Sequence, residues 1–191
     1  MATNIEIAAL GEANMPDNND GLITPAKMRE VFGAMLDHLG GNVYLANSST
    51  TKQTVVASTP LTLTNDGASA LTITAYRPHY LTVSTFWDGS KIHFDEIANG
   101  SIIFLRIEMG LNVPANSTSK VTAVFKDSLG VEAFRLQFVN RYFKSAGTDI
   151  SETYNFQCFM DTNITNGTME LVYESDSNGG AILKSLMVDI R

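Results

Sequence analysis

Three histidines, one cysteine and a scatter of carboxylates are the groups with which this 191-residue chain could do chemistry. His38 falls on a helical stretch, His79 lies in YRPHY, and His93 lies in KIHF two residues before Asp95. No two of them stand four apart on a helix and no cysteine joins them, so the spacing encodes no zinc site. The carboxylates Asp88, Asp95, Glu96 and Glu108 form no constellation, and no nucleophile elbow is present from which to build a triad. DTNITNGTME (residues 161–170) is rich in oxygen ligands, but its glycine is at the seventh position and the carboxylate ladder of a calcium loop is missing. It reads as a plain turn around Asn166-Gly167. No glycine-rich loop follows a strand, so a phosphate cradle is absent as well. Cys158 shares a strand face with Tyr154, Phe156 and Met160, where a free thiol behaves as a small apolar group. The expectation is a chain with no catalytic residues, no metal and no cofactor.

One aromatic group could bind. Trp87 stands at a hairpin tip beside Asp88-Gly89, with Tyr76 and Tyr80 near in sequence. An exposed indole there can stack on a sugar ring; the plainer alternative is a tip packed onto a neighbouring loop or subunit. The five Asn-X-Ser/Thr sequons reflect turns rich in Asn, Ser and Thr.

The elements that must position these groups are mostly strands. From Val43 onward the apolar pattern has period two. Runs such as SIIFLRIEM, SKVTAVF, VEAFRLQFV, ETYNFQCFM, TMELVYE and AILKSLMVDI are separated by turns at Asn99-Gly100, Asp127–Gly130, Asn166-Gly167 and SDSNGG. LTLTN and ALTITA, on either side of Asp66-Gly67, read as a hairpin. Eight to ten short strands at regular spacing predict a mainly β fold, an antiparallel β-sandwich of jelly-roll type over residues 42–191. In VEAFRLQFV, Phe134, Leu136 and Phe138 share one face, which predicts a clean core side. SIIFLRI is apolar on both faces, Ile102 and Phe104 opposing Ile103, Leu105 and Ile107. A sandwich has one interior, so the second face calls for a covering subunit.

Ahead of the strands is one helix. In ITPAKMREVFGAMLDHLGG (residues 23–41), Thr24 caps, Pro25 takes the first helical position and Gly40-Gly41 stop the helix. Met28, Val31, Phe32, Met35, Leu36 and Leu39 make one apolar face. Either that face caps the chain's own β-domain, or Met28, Phe32, Met35 and Leu39 form an oligomerising core around a symmetry axis. Residues 1–22 are polar and turn-rich, a composition that becomes ordered only against a partner or its own domain. Ile5, Ile7 and Leu10 are the apolar anchors of this extended attachment arm, and the spacing of the first two suits an added strand.

Composition narrows the partners. A net charge of −7 argues against binding duplex nucleic acid, which requires clustered Lys and Arg. No apolar run approaches the roughly 20 residues that span a bilayer, so no membrane insertion is expected. The first residues carry acidic rather than basic groups, unlike a signal peptide.

Residues 23–41, after a short polar leader and before NVYLANSST, resemble the N-terminal segment of many tailed-bacteriophage virion proteins. In those an Ile-Thr-Pro helix start precedes a fibre, head-fibre or decoration module. The β-region that follows resembles, in pattern, trimeric jelly-roll heads related in shape to tumour-necrosis-factor and complement-type domains. The resemblance implies a homotrimer located in the virion, attached to other virion proteins of the capsid or tail. This chain lacks a long coiled coil or triple-β shaft, so a compact capsid-decoration or head-fibre protein, or a short tail-fibre knob, fits better than a long fibre. The alternative it leaves open is a carbohydrate-binding receptor module that contacts host-surface glycan.

Overall fold

In the computed structural model, residues 25–38, 40–47, 49–64, 71–73, 77–78, 81 and 86–191 are described. Helix α1 (Pro25–His38) leads into β1 (Gly41–Ala46), β2 (Gln53–Val55), β3 (Leu61–Thr62), β4 (Leu71–Ile73) and β5 (Lys91–His93). Six longer strands follow: β6 (Ile102–Val113), β7 (Ser117–Lys126), β8 (Glu132–Phe143), β9 (Gly147–Phe159), β10 (Thr168–Ser175) and β11 (Gly179–Ile190). They form two antiparallel sheets. The first runs β4-β1-β11-β6-β9, with β2 continuing along β11 where β1 leaves off; the second runs β3-β10-β7-β8, with β5 also on β10. From β2 onward the chain crosses between sheets after every strand except β7, which makes the sandwich a jelly roll.

Period-two alternation explains the core. Ile103, Leu105, Ile107, Met109 and Leu111 of β6 point inward and are buried, facing Val121, Ala123 and Phe125 of β7 and Met169, Leu171 and Tyr173 of β10. β11 supplies Ala181 and Leu183, then Leu186, Val188 and Ile190. The inward parity changes between Leu183 and Leu186 because the register with β6 shifts at Lys184. A second shift in the same sheet falls at Asn112, between Leu111 and Val113. Turns form where Asn or Gly accepts left-handed backbone: Asn116 (φ 56), Asn166 (φ 57) and Gly130 (φ 78).

Two expectations change. The LTLTN and ALTITA segments are not hairpin partners, because β3 pairs with β10 in one sheet and β4 with β1 in the other. Short strands joined through a turn sequence can be claimed by different sheets when each finds a longer partner. The clean core side of VEAFRLQFV is also only half realised, with Phe134 and Leu136 each 38% exposed. β8 is the last strand of its sheet, so its inward side chains reach past the edge of the opposing layer. The two-faced reading of SIIFLRI holds: Ile102 and Phe104 are half-buried outside while Ile103, Leu105 and Ile107 are buried within.

Candidate assembly surface

Among the described residues β8 and β9 end the two sheets on the same side of the sandwich, and there the core comes to the surface. Phe94, Phe125 and Phe134 stack outward from the interior, with ring centroids 6.2 and 4.4 Å apart. Phe138 of β8 stacks on Phe156 of β9 at 4.5 Å and meets Tyr154 edge-on at 6.4 Å, so aromatic rings rather than backbone join the layers at this edge. Burial pushes the Tyr154 phenol up to about 12. Arg141 and Glu152 pair across the same edge, and the Arg141 guanidinium lies 5.1 Å from the Phe143 centroid.

A second apolar patch lies on the outer face of the first sheet. It consists of Ile102, Phe104, Met187 and Phe159, the last of these 62% exposed. Beside them is a shallow cavity of about 530 Å³ walled by Phe104, Met187, Phe156, Arg106 and Asn155. Arg191 covers part of Phe104 at 5.1 Å while its guanidinium is held 2.9 Å from Asp189. This patch is at the end of the sheet where Gly41 pairs with Ile190, so α1 leaves the sandwich next to it.

The helix itself divides its apolar residues. Val31 is buried, whereas Met28, Phe32 and Met35 remain exposed, Phe32 at 55%. Three of the four expected oligomerising residues are therefore described, and all three are exposed. Leu39, the arm anchors Ile5, Ile7 and Leu10, and the tyrosines Tyr76 and Tyr80 lie outside the described residues.

Trp87 is placed otherwise than a stacking platform requires. It is half-buried, pairs with Ile92 and packs against the core, with its indole nitrogen buried. The neighbouring carboxylate organises the turn instead. Asp88 Oδ1 accepts hydrogen bonds from the Ser90 and Lys91 amides, each 2.8 Å, and from the Ser90 hydroxyl, while His93 Nε2 donates to Oδ2 at 3.0 Å. Partial burial opposes its charge, but these donors outweigh burial and hold its pKa at about 2. Asp88→Ala should therefore lower stability at neutral pH by about 1–2 kcal/mol. Because the folded value is depressed, the carboxylate's contribution is whole above the ordinary 3.8 and is lost as pH falls toward 2. Denaturant melts of both proteins at neutral and acid pH should show the penalty shrinking at the acid end.

Cys158 and the Asn166-Gly167 turn sit as the sequence reads them. Burial pushes the Cys158 thiol up to about 12, so it is un-ionised at neutral pH and serves packing. Asp161 accepts the Asn163 amide at 2.8 Å and Ile164 is fully buried, which makes 161–167 a packed turn leading into β10. Among the described residues no group of three His, Cys, Asp or Glu is arranged to hold a metal. The protruding core of β8 and β9 is not legible in the sequence, because edge position is a property of topology; the aromatic density of AFRLQFV and TYNFQCF is its local signal.

No family model matches the chain, and no curated protein matches it. Solved structures share the fold. The PRD1 vertex protein P5 is 10% identical with a TM-score of 0.49, over 80% of this chain and 72% of that one. Murine APRIL is 9% identical with a TM-score of 0.46, over 80% and 99% of the two chains. Eiger TNF from S. frugiperda is 9% identical with a TM-score of 0.44, over 80% and 92%. Likeness of this size says nothing about what this chain binds.

Proposed function

We propose that the protein is a homotrimeric virion structural protein, a capsid-decoration, head-fibre or short fibre component without enzymatic activity. The observation that carries the proposal is the pair of unlike apolar surfaces, the open β8/β9 edge and the outer patch around Phe104 and Phe159. An edge that docks on a different patch of the next copy makes a heterologous contact, and three such contacts close into a ring when the rotation between copies is a third of a turn. Three exposed apolar side chains on α1, leaving the sandwich beside that patch, supply a short bundle along the ring axis. Met35→Asp should weaken association while leaving the β-sheet circular dichroism signal intact; loss of β-structure at unchanged mass would assign the helix to the sandwich core.

Attachment to a tailed-phage particle rests on the resemblance of residues 23–41 to virion N-terminal segments and on the composition of residues 1–22. Ordering such an arm costs roughly 1–2 kcal/mol of backbone entropy per residue, which demands extensive contacts on another virion protein. Deleting residues 2–22 should leave a folded oligomer that no longer incorporates into particles. Wild-type occupancy of the truncated protein would move the anchor to the helix or the sandwich.

A further inference from the structure

Both register shifts of the first sheet fall at one corner, and they aim polar side chains at each other. β-bulges re-aim side chains in this way and are frequent beside binding sites. Lys184 occupies the shift on β11, and its stem lies over Gly110 of β6: a Cβ there would meet Lys184 Cε at 2.7 Å. Lys52 approaches from the segment before β2, its stem over Gly180, where a Cβ would lie 3.2 Å from Lys52 Cβ. Asn112 occupies the second shift, and its Oδ1 accepts the Asp149 amide at 2.9 Å, which sets Asp149 in left-handed backbone (φ 63).

The result is two ammonium groups around one carboxylate. Lys52 Nζ is 3.0 Å and Lys184 Nζ 4.0 Å from the same oxygen, Asp149 Oδ1. The Lys52 and Lys184 side chains are 16% and 34% exposed and the Asp149 side chain 70%, so the carboxylate is the least enclosed of the three groups and the one able to swing out. The three groups border a cavity of about 350 Å³ together with Asn47, Ser49, Thr50 and Ile182. Asn47 is fixed by donating to the Leu183 carbonyl at 3.0 Å and accepting the Ser49 amide at 3.0 Å. The Ser49 hydroxyl accepts from the Thr51 amide at 3.2 Å and retains its own proton to donate.

We propose that this corner binds a carboxylate-bearing saccharide, its carboxylate displacing Asp149 from Lys52 and Lys184 and its hydroxyls meeting Ser49, Thr50 and Asn47. With Asp149 counted, the pocket carries one net positive charge, which a single carboxylate neutralises. The chain's overall −7 does not oppose this, since charges more than about 8 Å away are largely screened at physiological salt. The cavity exceeds what a bare ion needs and falls at the small end of ligand pockets, which start at about 300 Å³. Ile182 offers an apolar wall for ring C–H groups. The pocket lies at the Ala46 end of β1, away from the Gly41 end where α1 emerges. The inference does not rest on the virion reading.

Titration of the full-length protein with glucuronate, followed by calorimetry or NMR, tests it. Saturable millimolar binding is expected, weakened at least about tenfold in Lys184→Met and in Lys52→Met, which keep the stem and remove the charge. Asp149→Asn, whose side chain tolerates left-handed backbone, should strengthen binding severalfold by removing the competing carboxylate. Glucose bound as tightly as glucuronate would overturn the charge recognition, and inorganic phosphate bound as tightly would reduce the pocket to a bare anion site. Absence of glucuronate binding, or weaker binding in Asp149→Asn, would overturn the proposal.

Discussion

Phe159→Asp is expected to convert the proposed trimer into folded monomers. Phe159 lies at the end of β9 opposite Ile102, on the outer patch and 62% exposed, so the isolated subunit loses little by its removal. In a ring the same substitution enters every contact, where it replaces a buried aromatic anchor with a charge that must be desolvated. Aromatic anchors at interface centres contribute about 2 kcal/mol or more, so association should weaken at least about thirtyfold. Sedimentation of the variant against the wild type reads this directly, with circular dichroism as the control for folding. An unshifted oligomer would place the interface elsewhere on the molecule.

Phe125→Ala should have the largest effect on the subunit itself. Phe125 is fully buried in the middle of the Phe94–Phe125–Phe134 stack, and its loss leaves a cavity that backbone pairing to β8 and β10 prevents from collapsing. Such truncations cost about 3–5 kcal/mol. Because Phe134 leans on the Phe125 ring, the variant should also loosen the assembly edge, seen as faster amide exchange in β8 than in β6. Equal exchange in the two strands would show that the edge is held independently of the stack.

The fold was legible where local chemistry and topology agree. Asn166-Gly167 and Asp127–Gly130 mark turns that the structure places between long strands, and the alternation of Ile103, Leu105 and Ile107 identifies the inward face before any sheet is known. Non-local choices were not legible. Nothing in LTLTN indicates that β3 joins β10 while ALTITA joins β1 in the other sheet. Nothing within VEAFRLQFV says that it ends a sheet, so the 38% exposure of Phe134 could not be read from its period. For Trp87 the turn sequence beside it left exposure and packing both open, and the bridge to Ile92 folds the indole back onto the core. The Lys184 corner left one faint trace, the change of apolar parity between Leu183 and Leu186 in AILKSLM. That break locates a bulge, but the convergence of Lys52 and Asp149 on it depends on three separate strands and connections.

Association through unlike apolar surfaces is the claim on which the rest of the account depends. Light scattering coupled to size exclusion, on the full-length protein at micromolar concentration, tests it most directly. A single species at three times the chain mass is the predicted result. A species at the mass of one chain would contradict the account, because the β8/β9 edge and the face of α1 would then be open to water; a dimer would contradict it by closing on a two-fold interface instead of a three-fold ring.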